Sequence, residues 1–189
     1  MERSERRKQR ILSVLSRRQY DAVVFLDNIK NPHNIAAIMR TCDAAGIQRL
    51  LYTSDGGVFS FLREISRGSE KWVDVERVEE PVEVIKGFKK KGYRIYSTAL
   101  LDESEDYRKV DWTEPFVLVM GNEVSGVSKE ILELSDRVVK IPMYGMVQSL
   151  NVSVACGVVL YEVVRQREEK GLYQEKDFPE EIYKRWLNL

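Results

Sequence analysis

The sequence predicts an α/β protein: six strands in a mostly parallel sheet, helices on both faces, and a short helical extension at each end. Three observations carry that reading. Strand-like and helix-like segments alternate along almost the whole chain. The strand segments are apolar on both faces, as strands covered by helices on each side must be. The polar, glycine-containing stretches fall directly after strands, where an open α/β sheet places its working loops.

Taken in order, residues 1–19 form a basic N-terminal helix, with Ser4 as its expected cap and Ile11, Leu12, Val14 and Leu15 as its apolar side. The strands are AVVFL (22–26), QRLLYT (48–53), KWVDVERV (71–78), YRIYSTA (93–99), PFVLVM (115–120) and RVVKIP (137–142). Helical patterns lie near 34–45, 58–67, 81–91, 127–135 and 150–168. Residues 20–170 make up the main domain, and 171–189 a charged, aromatic tail. After Pro179 that tail predicts one more helix, with Ile182, Trp186 and Leu187 packed on a surface that a second copy of the chain would be one way to supply.

With 189 residues, 43% hydrophobic and 32% charged, the chain is long enough for one domain with a sizeable core. Its apolar runs are too short for a membrane span, and nothing behind MERSERRKQR reads as a signal peptide, so a cytoplasmic protein is expected. Thirty basic and thirty acidic residues cancel, so net charge does not argue for nucleic acid. Its distribution says more: Arg3, Arg6, Arg7, Lys8, Arg10, Arg17 and Arg18 face only Glu2 and Glu5 in the first 18 residues. That run reads equally as a phosphate-binding arm or as a solvated helix face. Cys42 and Cys156 read as buried free thiols, and His33 is the single histidine. A zinc site or a Ser/His/Asp triad would rest on that one ring, so neither a metal nor histidine-based hydrolysis is expected.

Three post-strand loops carry the chemistry. In DNIKNPHNIAAIMRTCDAAGI (27–47), a helix with Ile35, Ile38, Met39 and Cys42 on one stripe follows Asn31, Pro32, His33 and Asn34. Arg40 falls about 140° round that helix from Ile35, off the stripe and able to reach a ligand. The plain alternative makes Asn34 a helix cap and Arg40 a surface residue. In GNEVSGV (121–127), Asn122 and Glu123 stand where a strand ends between two glycines, but the stretch fits neither the P-loop nor the GxGxxG pattern. In IPMYGMVQSLNVSVACGVVLYE (141–162), capping by Ser149 or Asn151 accounts for one polar residue, worth about 1 kcal/mol. It leaves Gln148 and the rest of the polar helix mouth to line a pocket.

Together, in this order, NPHNIAAIMRTCDAAGI, VLVMGNEVSGV and IPMYGMVQSLNVSVACGVVLYE resemble the three motifs of the SpoU/TrmH family of RNA ribose 2′-O-methyltransferases, within the SPOUT class. The resemblance covers roughly residues 20–170. It implies a SPOUT-type α/β knot, a C-terminal trefoil that departs from the rule against knotted chains. It also implies S-adenosylmethionine as cofactor, held by Thr98, Ala99, Leu100, Gly121, Ile141, Met143, Ser149 and Leu150. The catalytic set it implies is Asn34, Arg40, Glu123, Ser149 and Asn151, with Arg40 donated across a homodimer whose active site lies at the subunit interface. Within the family, GMVQSLNVSVA and the two extensions most resemble members that methylate the guanosine at position 18 of the tRNA D-loop. A different tRNA or rRNA ribose, a catalytically silent RNA-binding SPOUT protein and a generic nucleotide-binding α/β protein are the competing readings.

The family gives Arg40 the role of proton acceptor, yet with a pKa above 12 roughly one arginine in 10⁵ or fewer is neutral at pH 7. A bidentate guanidinium clamp on the adjacent phosphate needs no deprotonation, so both roles stay open. Glu123 would orient Arg40 or Asn34. For tRNA contact the candidates are Arg7, Lys8, Arg10, Arg17 and Arg18, with Arg63, Arg67 and Lys71 either extending that surface or forming a solvated face beside Glu64 and Glu70. Tyr183 and Trp186 are candidates for tRNA contact or dimer packing.

Overall fold

A computed structural model describes residues 3–53 and 71–189, with side chains from Glu5 onward. The predicted 58–67 helix, including Arg63 and Arg67, lies outside the described residues. In chain order the elements are α1 (Arg3–Leu15), β1 (Gln19–Asp27), α2 (Pro32–Ala44), β2 (Ile47–Tyr52), β3 (Asp74–Arg77), α3 (Pro81–Lys90), β4 (Arg94–Thr98), β5 (Glu105–Asp106), β6 (Phe116–Gly121), α4 (Lys129–Leu134), β7 (Arg137–Lys140), α5 (Val152–Glu169) and α6 (Glu180–Leu187). The strands form one sheet in the order β3-β2-β1-β6-β4-β7-β5, and every neighbouring pair is parallel.

Among the described residues the sheet thus has seven strands rather than the six expected. The added one, β5, is two charged residues pairing as Glu105↔Val139 and Asp106↔Lys140, too short to show any alternation. α1 starts at Arg3, which places Ser4 inside the helix rather than ahead of it as a cap.

Alternation along the central strands divides the core. Ala22, Val24 and Leu26 of β1 and Phe116, Leu118 and Met120 of β6 point to one side, where α2 contributes Ile35, Ile38, Met39 and Cys42 and α5 contributes Val152, Cys156, Val159, Leu160 and Val163. Val23, Phe25, Val117 and Val119 point to the other, under Ile85 and Phe88 of α3 and Ile131 of α4. Among the described residues, no helix is long and apolar enough to cross a membrane.

The two extensions pack on each other. Ile11 and Leu15 of α1 bury against Ile182 and Trp186 of α6, and Trp72 meets the Trp186 ring edge-on at 5.0 Å. The tail therefore covers its own chain's first helix, and Trp186, 2% exposed, is available neither to tRNA nor to a partner. Tyr183 packs on the same cluster, half-buried. Arg18 is a second correction. It is 1% exposed, pairs with Asp43, donates to the Ile47 carbonyl at 3.2 Å and lies 5.2 Å from the Trp186 ring centre, so it cannot meet a phosphate. Arg17 pairs with Glu175 at 3.2 Å across an exposed surface, and Arg7, Lys8, Arg10 and Lys71 are exposed as well.

The far end of α5 is pinned by another buried cation. Arg167, 0% exposed, donates Nε to the Trp112 carbonyl (2.8 Å), Nη1 to Asp21 (2.6 Å) and Gln19 (2.9 Å), and Nη2 to the Glu114 carbonyl (2.9 Å). Its guanidinium also lies over the Phe116 ring at 5.2 Å.

Both thiols are fully buried and unbridged. Burial pushes Cys156 up to about 12 and Cys42 well above the usual thiol value. Since the thiolate is the reactive species, a disulfide reagent such as 5,5′-dithiobis(2-nitrobenzoate) is expected to release no colour from the native protein and to titrate both cysteines after denaturation. Rapid reaction in the native state would contradict this packing.

Candidate active site

The carboxyl ends of β1, β6, β4 and β7 lie side by side, so their loops converge although they are far apart in sequence. After β1, Asn31 is the N-cap of α2: its Oδ1 accepts from the His33 backbone N–H at 2.9 Å, and Pro32 occupies the first helical turn, where its missing N–H costs nothing. Asn34 is therefore inside the helix, not its cap, and its amide serves another purpose. Asn34 Nδ2 donates to Glu123 Oε1 at 2.7 Å, and Asn34 Oδ1 accepts from Asn151 Nδ2 at 3.1 Å.

Three of the five predicted catalytic residues thus form one hydrogen-bonded line, Glu123–Asn34–Asn151, one from each of the three motif stretches. Asn151 is itself the N-cap of α5, its Oδ1 accepting from the Ser153 N–H at 2.9 Å and from the Ser153 hydroxyl at 2.6 Å. Capping fixes that side chain, and the fixed side chain fixes Asn34. Glu123 thereby has Asn34, rather than Arg40, as its partner.

Arg40 and Ser149 are not joined to this line. Arg40 is exposed, and its side chain makes no hydrogen bond to the described residues. Six positions on α2 separate it from Asn34, about 9 Å along the axis and about 240° round it, so within one chain the two face different directions. Ser149 is exposed on the segment before α5, at the rim of a cavity.

That cavity, about 740 Å³, opens beside the line. Thr98, Ala99 and Leu100 after β4, Gly121 at the end of β6, and Ile141, Met143, Ser149 and Leu150 after β7 all line it, together with Asn122, Glu123 and Asn151. Gly121 is required by space: a Cβ there would fall 2.2 Å from the Val127 N and 2.3 Å from the Gly126 C. Gly126, at φ +71°, turns the loop back. The segment from Tyr144 to Asn151 is exposed throughout, with Tyr144 and Met146 more than nine-tenths so, and Val154 and Tyr161 extend that apolar surface along α5.

Sequence reasoning missed Asp27, Asn28 and Thr53. Asp27 is buried and accepts the Ser128 N–H at 2.7 Å, Thr53 Oγ1 accepts the Asn28 N–H at 2.8 Å, and Asn122 Nδ2 donates to the Asn28 carbonyl at 2.6 Å. The aspartate and asparagine ending an apolar strand were the available signal. Among the described residues, no group of three His, Cys, Asp or Glu side chains is arranged to hold a metal ion.

Comparison with known proteins gives this arrangement its relatives. The model of the SpoU rRNA Methylase family matches residues 21–161. A tRNA (guanosine(18)-2′-O)-methyltransferase of Aquifex aeolicus is 51% identical over 187 residues, covering 96% of this chain and 89% of that one. The crystal structure of the A. aeolicus TrmH/SpoU tRNA modifying enzyme superposes with a TM-score of 0.91 at 49% identity, covering 98% and 96% of the two chains. The SpoU methyltransferase AviRb from Streptomyces viridochromogenes, in complex with the cofactor AdoMet, superposes at 0.72 with 32% identity, covering 80% and 62%. With the family model spanning all three motif loops and the line they form, the chain belongs to the SpoU methylase family.

Proposed function

We infer that this chain is a tRNA 2′-O-methyltransferase that transfers a methyl group from S-adenosylmethionine to the ribose 2′-hydroxyl of guanosine 18 in the D-loop. One observation carries the reading: the Glu123–Asn34–Asn151 line stands at the rim of a cofactor-sized cavity, in a chain half identical to an enzyme of that activity. About 740 Å³ is within the range of small-ligand pockets, and its lining suits the cofactor. Leu100, Ile141, Met143 and Leu150 offer apolar contact to an adenosyl group, while strand-end backbone at Thr98, Ala99 and Gly121, with the Ser149 hydroxyl, offers hydrogen bonds. When bound, the cofactor supplies a methyl group made electrophilic by its sulfonium.

The chain's own residues then orient and exclude. Asn34, held from both sides, presents its remaining amide N–H to the incoming ribose or phosphate, and Ser149 and Asn151 complete the rim. Holding the hydroxyl in line with the methyl supplies several kcal/mol of barrier lowering on its own. Arg40 enters from the partner subunit of a homodimer and grips the phosphate beside the target ribose. Its direction away from Asn34 within one chain and the exposed apolar surface at Tyr144, Met146, Val154 and Tyr161 both support that assembly. The trefoil knot belongs to the same proposal, supported by the placement of β7 between β4 and β5, ahead of a segment that returns to α5 beside α2. Arg7, Lys8, Arg10, Arg17 and Lys71 remain the described candidates for the tRNA backbone.

The test is transfer of labelled methyl from S-adenosylmethionine to unmodified tRNA, with the site read by alkaline cleavage. A methylated ribose has no 2′-hydroxyl to attack the adjacent phosphodiester, so a single resistant bond after guanosine 18 is expected. Resistance at another ribose would move the target within the same chemistry. A folded protein that binds the cofactor and transfers nothing would leave an RNA-binding protein without catalysis.

A further inference from the structure

We propose that Asn122 is a positioning residue for the methyl transfer: its side-chain amide ties the 121–126 loop to the carbonyl of Asn28 and so holds the Glu123 carboxylate against Asn34. The proposal deepens the methyltransferase reading and rests on it.

The loop that presents Glu123 has little apolar anchorage of its own. Residues 123–126 are exposed, and Val124 at its tip is 97% so. A carboxylate on such a loop would ordinarily sample many positions, yet Glu123 Oε1 sits 2.7 Å from a buried amide. Polar bonds centred on Asn122 replace the missing packing. Its backbone N–H donates to the Gly126 carbonyl at 3.0 Å and its carbonyl accepts from the Gly126 N–H at 2.9 Å, closing a five-residue ring. Inside that ring Asn122 Oδ1 accepts from the N–H groups of Val124 (2.9 Å) and Ser125 (3.1 Å), an Asx-type turn that fixes the ring's shape.

The remaining function of the side chain points outward. Nδ2 donates to the Asn28 carbonyl at 2.6 Å, joining the ring to the end of β1. That attachment point is itself held. Asn28 stands at φ +54°, a conformation that asparagine tolerates better than most residues, and its N–H donates to Thr53 Oγ1 at 2.8 Å. One residue earlier, Asp27 accepts the Ser128 N–H at 2.7 Å just past the ring. The end of β1 thus grips the loop on both sides of Glu123, and the same strand leads directly into α2, which carries Asn34. Both partners of the Glu123–Asn34 hydrogen bond are positioned from one rigid origin.

The amide's two ends separate cleanly by substitution. Asn122→Asp keeps an acceptor for Val124 and Ser125 but sets a carboxylate oxygen against the Asn28 carbonyl. Asn122→Ser keeps a shorter turn acceptor and cannot reach that carbonyl. Either change is expected to lower kcat for tRNA methylation roughly 10- to 100-fold, the cost of losing alignment rather than of losing a reacting group. The decisive readout is a double-mutant cycle with Glu123→Ala: if Asn122 acts through Glu123, its substitution costs little more once Glu123 is gone. In the same variants the side-chain amide NMR signal of Asn34 should shift as it does in Glu123→Ala alone. Losses that add in the cycle, or an Asn34 signal that stays in place, would overturn the positioning role while leaving the enzyme's activity established. A wild-type protein that transfers no methyl would instead overturn the functional reading, and this role with it.

Discussion

Arg40→Ala and Arg40→Lys are each expected to lower kcat by about 10²- to 10³-fold, the usual cost of removing one preorganised charge from a transition state, while S-adenosylmethionine binding persists. The basis is geometric. Arg40 is exposed, its side chain makes no hydrogen bond to the described residues and points away from Asn34 in its own chain, so its loss should leave both fold and cavity intact. Lysine retains the charge but not the planar fork that meets two phosphate oxygens at once. A near-normal Arg40→Lys enzyme, measured by methyl incorporation into tRNA, would remove the clamp. The origin of Arg40 is read by mixing Arg40→Ala with Asn151→Ala under conditions that exchange subunits. If the arginine crosses the interface, one site in each mixed dimer has neither substitution and activity returns. Two inactive variants that stay inactive when mixed would place Arg40 in the same chain as the Asn34 that it serves.

Arg167→Ala is expected to lower the unfolding free energy by about 3–5 kcal/mol, because it leaves the partners of a buried cation without their donor. For a chain of this size that corresponds to a fall in Tm of roughly 10 °C, read by circular dichroism. The carbonyls of Trp112 and Glu114, Gln19 Oε1 and the Asp21 carboxylate all lose an N–H at once. Lysine would be a poor rescue, since one ammonium cannot reach four acceptors arranged around a planar fork. A loss below about 1 kcal/mol would mean that desolvating the guanidinium offsets nearly everything its hydrogen bonds contribute.

What the sequence made legible follows from which signals are local. Alternation in AVVFL and PFVLVM places side chains on both sheet faces, and β1 and β6 divide the core in that way. The α1–α6 contact was not legible, since an amphipathic stripe says that a helix packs but not on what. Arg18 and Arg167 were invisible for a related reason: a charged residue in a charged stretch reads as solvated, and only the assembled fold supplies the carbonyls and carboxylates that make burial tolerable. At Asn34 the needed signal was present. Pro in the first turn of a helix puts the cap one residue earlier, at Asn31, which leaves the next asparagine free for other work. The site as a unit became visible through the joint wording of three motifs. Nothing local to 27–47, 121–127 or 141–162 says that β1, β6, β4 and β7 stand together.

The place of β7 in the sheet sets a schedule for the growing chain. Among the described residues β5 pairs only with β7, and β4 has β7 as its second neighbour, so until residues 137–140 leave the ribosome β4 is an open edge and β5 has no strand to join. The residues that close that edge run directly into the cavity wall and the α5 cap at Asn151. Translation therefore adds the inner strand of this edge and the last wall of the cavity in one late stretch, with α5 and α6 still to follow. A chain terminated before residue 137 would present an unpaired β4 border and an incomplete cavity wall, yet it would keep the basic first helix.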